Sequence, residues 1–530
     1  MLATTFHTLD WVVLGAYLVI VLALGLAFAR KQPQGDEFFL ARRSMPMWAV
    51  AISVLATSLS AATYIGGPQH AFETNLTYLS ANIGGLIAIV VVAAFFVPAF
   101  YRYKVTTVYE LLGHKFGTAA RRAASLMFML GRVFASGARL FMVAIPFAMI
   151  TFGSTSPLCL MTSIGIIALG ATLYTMLGGI RAVIWTDVLQ AILLVVTVGV
   201  ALVILLQRIP LSIPQIMTAL AETKVDDTSK LTIIDRSGDL SRWYTIWTAL
   251  IGWTLFNVAA YGVDQDLTQR LLTCKSSKSA SWAAILSNLI GWPVVALFLL
   301  MGLLLFVLYQ RPDLMGAAAP EYQIDDSRKV FLEFILHELS PGLRGLMMAG
   351  LFAAAMSSLD SALNALASTT IVDFLRTRRV AYASTAGPSE QSDRGASRIA
   401  VLIWALILSG FACVCVFWQQ ETGQTLINFA LGVMIFAYSG LLAVFLTALF
   451  TKRGNTVSVI AALVVGFICV LLMQDSVASR WAATVGIHDS IAMPWQMVIA
   501  TAVSFAVCCV GRRPTVSPPP PSPLQHGQPC

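Results

Sequence analysis

Charged residues are scarce in this chain: they make up 11% of its 530 residues, against roughly 25% in soluble domains, too few to cover a water-facing surface. Histidine is also sparse. The six lie at positions 7, 70, 114, 337, 488 and 526, in predicted loops or at the ends of apolar runs, so a buried metalloenzyme or a histidine proton relay has nothing to build on. The eight cysteines, at 159, 274, 413, 415, 469, 508, 509 and 530, show no zinc-ligand spacing and mostly sit in apolar runs. A thiol there behaves as a small hydrophobe, and no disulfide framework is implied. No basic segment precedes the first apolar run and no small-residue cleavage site follows it, so it reads as a retained helix and not a cleaved signal.

Hydrocarbon is what the chain has in abundance, with 58% hydrophobic residues and a mean hydropathy of +0.79. Thirteen apolar runs are long enough to cross about 30 Å of bilayer core. They fall near 9–29, 47–71, 77–100, 122–152, 157–177, 182–207, 244–264, 281–309, 343–372, 398–419, 424–450, 456–474 and 491–511. The fold class expected is therefore an all-α polytopic membrane protein with 13 transmembrane helices filling residues 1–511. Residues 512–530, with the PPPPSP run, read as a disordered proline-rich tail. Its terminal Cys530 fits no prenylation box.

An odd number of crossings puts the termini on opposite sides, and the positive-inside bias chooses between them. With the amino terminus outside, the cytoplasmic flanks hold 22 of the 34 basic residues, including Arg42, Arg43, Arg121, Arg122, Arg270, Lys452 and Arg512. Lys230 and nine other basic residues fall outside, mostly in two long loops where charge biases topology least. The net charge of +8 thus reads as topology beside anionic headgroups and implies no nucleic-acid partner. The expected location is the plasma (inner) membrane, with the carboxy terminus cytoplasmic and the chain a monomer in the lipid bilayer.

Polar chemistry then appears at membrane depth. In Ala354-Ala355-Met356-Ser357-Ser358-Leu359-Asp360-Ser361, helical spacing puts Ala354, Ser357, Ser358 and Ser361 on one stripe, with Asp360 three residues after Ser357. Such residues are costly in lipid, and this stripe suits a bare monovalent cation. The second run reads WAVAISVLATSLSAATYIGG; its hydroxyls around 57–60 weaken a continuous helix, and a break there frees carbonyls for a cation. The same small residues also suit close helix packing. In GGIRAVIWTDVLQ, Asp187 alone reads equally well as an interfacial cap.

Together, in this order and spacing, GGIRAVIWTDVLQ (178–190), AAMSSLDSALNALASTT (354–370), DQDLTQRLL (264–272) and RRSMPMWAVAISVLATSLSAATYIGG (42–67) resemble the sodium:solute symporter family. The resemblance spans all thirteen runs and is strongest to the bacterial sodium/sialic acid branch. It implies a five-plus-five inverted repeat of the leucine-transporter type, about 47–207 and 244–450. It implies a first sodium held by carbonyls of Ala56, Leu59 and Ala354 and hydroxyls of Ser357 and Ser358. A second sodium, found in some members, would use Asp187, Ser357, Asp360 and Ser361. The chain carries Asp360 where that branch has serine, and this carboxylate could hold the second cation or a proton.

For the solute, the resemblance implies Ser58, Ser60, Thr63, Tyr78 and Asn82. The branch's carboxylate-binding arginine falls in register on Ala135, with Arg132 and Arg139 a turn away on either side. Arg139 is a candidate for a solute carboxylate or for an acid of the protein itself, whereas Arg132 is expected to snorkel toward the cytoplasm. The function implied is sodium-coupled import of a small polar, carboxylate-bearing or sugar-like solute by alternating access, with one or two sodium ions and no enzymatic activity. The rivals are a membrane sensor using the 373–397 loop or the tail, a proton-coupled carrier using Asp360, and a channel or membrane enzyme.

Overall fold

A backbone with no water in reach must satisfy its own N–H and C=O groups, which makes each long apolar run a helix. The computed structural model of the chain describes residues 6–29, 39–322, 324, 326–376, 390–422, 425–474, 477–478 and 491–512. Among these, eight helices are long and apolar enough to cross a membrane: Thr8–Gly25, Thr77–Arg102, Thr118–Phe152, Gly179–Arg208, Ser277–Gln310, Leu343–Leu375, Gly395–Gln419 and Met493–Val510. Pro157–Leu173 and Thr456–Leu472 are shorter apolar helices. Most of the expected proline-rich tail, 513–530, and residues 377–389 of the 373–397 loop lie outside the described residues.

Two more spans are bent pairs: Met47–Ser58 with Ala61–Glu73 at 57°, and Leu426–Gly432 with Ile435–Phe450 at 41°. The run near 244–264 is also interrupted. Its helix Thr254–Gly262 stops at Val263 and Asp264, and Gln265–Leu271 resumes with the Asp264 side chain accepting from Asp266 N. Gly179 separates the fifth and sixth runs with φ 58° and ψ 176°, a conformation that a residue without Cβ reaches at no steric cost.

Segments assigned to one side of the membrane meet one another. At one end Arg43 donates to Val105 O at 3.0 Å, Tyr101 to Cys274 O at 2.7 Å, and Gly454 N to Gly511 O at 2.8 Å. At the other end the Asp10 carboxylate accepts from Gly342 N and Gly345 N at 2.7 and 2.9 Å, and Arg208 pairs with Glu338 at 2.7 Å. Gly345 has no room for a side chain, since a Cβ there would lie 2.4 Å from Asp10 O.

Lys230 is not the exposed loop charge that its position suggests. It is fully buried, donating to Phe72 O at 2.6 Å and Ala71 O at 3.3 Å, with its ammonium 4.0 Å from the Phe306 ring centroid. Helix C-terminal carbonyls and a ring face both favour a cation, yet burial still pushes its pKa down to about 8. His70, on the same helix, lies at a span end as expected but is buried, and neither ring nitrogen has a hydrogen-bond partner.

Between pH 8 and about 10.4, the reference value for lysine, the unfolded chain binds a proton at Lys230 that the folded chain has lost. Stability contributed by this group therefore rises with pH across that window. The stability difference between wild type and Lys230→Met should move in the wild type's favour by at most about 1.4 kcal/mol per pH unit. Thermal unfolding of both proteins from pH 7 to 10 checks this, and a constant difference contradicts it.

Candidate functional site

The first broken span stops where its hydroxyls turn back on the helix. Thr57 donates to Ser53 O and Ser58 to Leu55 O, both at 2.8 Å, a competition that weakens the helical ladder. Leu59 (φ −83°, ψ 99°) and Ser60 (φ −105°, ψ −179°) are then extended. The Ser60 hydroxyl accepts from Ala62 N at 3.2 Å and caps the second half, as serine does at a helix start. Carbonyls in the last turn of the first half, Ala56 among them, lose their helical partners. The break itself falls where the 57–60 hydroxyls anticipated it.

The helix Leu343–Thr369 packs against this break, with Thr57 Oγ1 and Ser361 Oγ 3.4 Å apart. Ala56, Leu59, Ala354, Ser357 and Ser358 are all buried, so the two segments expected to hold the first sodium face each other. Ser358 Oγ donates to Ala354 O at 3.3 Å, and Ser357 Oγ to Asp187 Oδ1 at 2.6 Å. Neutral carbonyl and hydroxyl oxygens of this kind suit a hard monovalent cation.

Asp187 is no interfacial cap. It is fully buried and also accepts from Ser53 Oγ at 2.5 Å and from Arg270 Nη2 and Nε at 3.1 and 3.3 Å. Arg270, read from sequence as cytoplasmic flanking charge, is 1% exposed. It reaches Asp266 at 3.2 Å, donates to Ser53 Oγ at 2.9 Å and bonds Ser361 Oγ. Of the four residues expected for a second sodium, Asp187, Ser357 and Ser361 are joined by hydrogen bonds with Arg270 among them, while Asp360 accepts from Thr175 Oγ1 at 3.0 Å. A guanidinium already supplies the counter-charge of Asp187.

Arg132 does not snorkel either. It is buried, pairs with Asp264, and reaches Asp266 Oδ2 at 3.0 Å; Tyr438 donates to the same Asp264 at 2.5 Å. Arg139, two helical turns later, has no carboxylate within 4 Å among the described residues. Its Nη2 reaches Met434 Sδ at 3.7 Å, and its Nε has no hydrogen-bond partner.

Beside the break lies a cavity of about 130 Å³, enough for several waters or part of a small solute. Ser58, Thr63, Tyr78, Asn82 and Arg139, expected for the solute, all line it, whereas Ser60 does not and serves as the helix cap. Asn257, Tyr261, Asn288 and Tyr438 also line it and were not anticipated. Asn257 and Tyr261 stand four residues apart in an apolar run, on one helix face. That spacing was the available signal.

Comparison with known proteins bears on the family and the fold. The family model described as sodium:solute symporter family matches residues 38–466. The sodium/sialic acid symporter SiaT of Proteus mirabilis is 27% identical over 473 residues, 88% of this chain and 89% of the relative. The sodium-coupled monocarboxylate transporter 2 of Mus musculus is 29% identical over 375 residues, 70% of this chain and 58% of the relative. The solved outward-open, substrate-bound state of a Na+-coupled sialic acid symporter superposes with a TM-score of 0.78 at 24% identity, covering 95% of this chain and 98% of that one. At that identity the likeness speaks for the fold alone.

The buried pairs carry a direct consequence for stability. Arg270→Met strands Asp187 without its guanidinium and leaves Asp266 to Arg132 alone, and the loss of a buried partner costs about 3–5 kcal/mol. Adding Asp187→Asn to that variant should recover part of the loss. A double-mutant cycle on melting or denaturant midpoints measures the coupling, and additive losses would contradict it.

Proposed function

This chain belongs to the sodium:solute symporter family and is a sodium-coupled membrane transporter, not an enzyme; from that premise we propose that it imports a small carboxylate-bearing solute. The observation that carries this reading is Arg139. It lines the cavity with its guanidinium unneutralised by any carboxylate within 4 Å among the described residues, and a bidentate guanidinium is the natural partner of a carboxylate. The relatives named for sialic acid and for monocarboxylates carry this acid group in common. Ser58, Thr63, Tyr78 and Asn82 supply hydrogen bonds for the remainder of the solute.

Sodium sits in this reading between the Ala56 and Leu59 carbonyls and Ala354, Ser357 and Ser358. The count is one ion per cycle. A second would have to displace Arg270 from Asp187 and Ser361, or bind at Asp360 beside Thr175. The breaks at 59–60 and 263–264 open the two halves of a five-plus-five inverted repeat, about 47–207 and 244–450, within thirteen crossings. Alternating access then moves a loaded midplane site between the two faces, in a monomer of the plasma (inner) membrane with its amino terminus outside and carboxy terminus cytoplasmic.

Uptake into proteoliposomes tests the reading. Sialic acid or lactate should enter under an inward sodium gradient and not under a choline gradient, and exclusion of every carboxylate in favour of a neutral sugar refutes the solute class. Ser358→Ala should raise the sodium concentration for half-maximal uptake about tenfold, since it removes one of five oxygens; an unchanged value removes the first site. One sodium with one monoanion moves no net charge. Uptake should therefore be insensitive to a valinomycin-clamped potential, whereas an inside-negative acceleration lost in Asp360→Ser would establish a second coupling cation, sodium or proton, at Asp360.

A further inference from the structure

The solute cavity and the proposed sodium site meet at one residue. Arg139 lines the cavity together with Leu59, a proposed sodium ligand. It also lines a second, smaller pocket of about 10 Å³ whose wall includes Ala355 and Ser358. Ser358, Ser136 and Arg139 are the polar residues of that wall, and the Ser136 hydroxyl has no hydrogen-bond partner. The acids nearest the cavity pair with other arginines: Asp264 with Arg132, and Asp266, which lines the same cavity, with Arg132 and Arg270. Arg139, with no carboxylate within 4 Å among the described residues, thus lines both the cavity and the pocket that Ser358 borders.

Like charges repel strongly over short distances where water is excluded. Resting on the reading of Arg139 as the solute's anchor, we propose that Arg139 sets the coupling itself, by holding down the sodium affinity of the solute-free carrier. A carboxylate docked on Arg139 cancels that charge, and sodium then binds more tightly. By linkage, sodium strengthens carboxylate binding by the same factor. A neutral solute cannot lift the repulsion, so the residue that binds the acid group also confines tight sodium binding to anion-loaded protein.

Sodium binding to the purified protein without solute, followed by calorimetry with choline chloride holding ionic strength, tests the coupling. Arg139→Gln should bind sodium about three- to tenfold more tightly than wild type, and Arg139→Lys like wild type. Ser136→Asp places a carboxylate in the narrow pocket and should give the same gain with Arg139 intact, so the test stands even if Arg139→Gln does not fold. Saturating sialic acid or lactate, whichever is transported, should tighten sodium binding in wild type and leave Arg139→Gln unchanged. Solute-free sodium binding that is equal to or weaker than wild type in both Arg139→Gln and Ser136→Asp, with melting transitions intact, overturns the coupling. If solute binding is also lost in Arg139→Gln, the carboxylate anchor survives that failure. Carboxylate binding at wild-type affinity in Arg139→Gln overturns the anchor and the coupling together.

Discussion

A carboxylate buried in a membrane bundle, with no water to solvate it, has to be met by a cation or by enough hydrogen-bond donors, and Asp187 is met by both. Ser53 from the first broken span, Ser357 from the long buried helix and Arg270 from the segment after the second break all converge on its two oxygens. Those elements border the proposed ion site. Their mutual position is fixed by an acid that none of them can abandon cheaply, and Arg270 extends the chain of charge to Asp266 and so to Arg132.

Around this fixed point the protein leaves oxygens unspent. Helix ends normally have their free carbonyls capped or hydrated, but here Ala56 and Thr57 of the last turn are buried, and the helix carrying Ser357 and Ser358 packs against them. Small residues allow that approach, and the same hydroxyls that interrupt the helix supply the polarity of the gap. Breakage and binding are thus two consequences of one local composition. Closing the helix would remove the carbonyls, and replacing its hydroxyls with larger apolar groups would fill the space.

The two arginines of helix Thr118–Phe152 show how a bundle separates structural from working charge. Arg132 and Arg139 are seven residues apart, about two turns, and so share a face. Arg132 meets Asp264 and Asp266, whereas Arg139 meets a thioether and a cavity. Identical in type and close in sequence, they differ only in whether another helix delivers a carboxylate to them. In the proposed reading, the half-buried guanidinium of Arg139 takes the carboxylate of the solute in that open place.

Sequence alone determined the class, a helical multi-pass membrane protein, because crossings of hydrocarbon depend on local apolar runs, which are written consecutively. It also determined the break at 59–60, since Thr57, Ser58 and Ser60 compete with their own backbone, and the stripe of Ser357, Ser358 and Ser361, since helical spacing is periodic. Tertiary structure decided the charge pairing. Arg270 lies 83 positions from Asp187 and reads in sequence as one more basic residue near a helix end, so no local pattern reports that it is buried. Asp360 follows the same logic: its hydrogen bond from Thr175 joins it to a helix 185 positions away in sequence. Counter-charges in a membrane interior are assigned by which helices pack together, and a one-dimensional pattern does not carry that information.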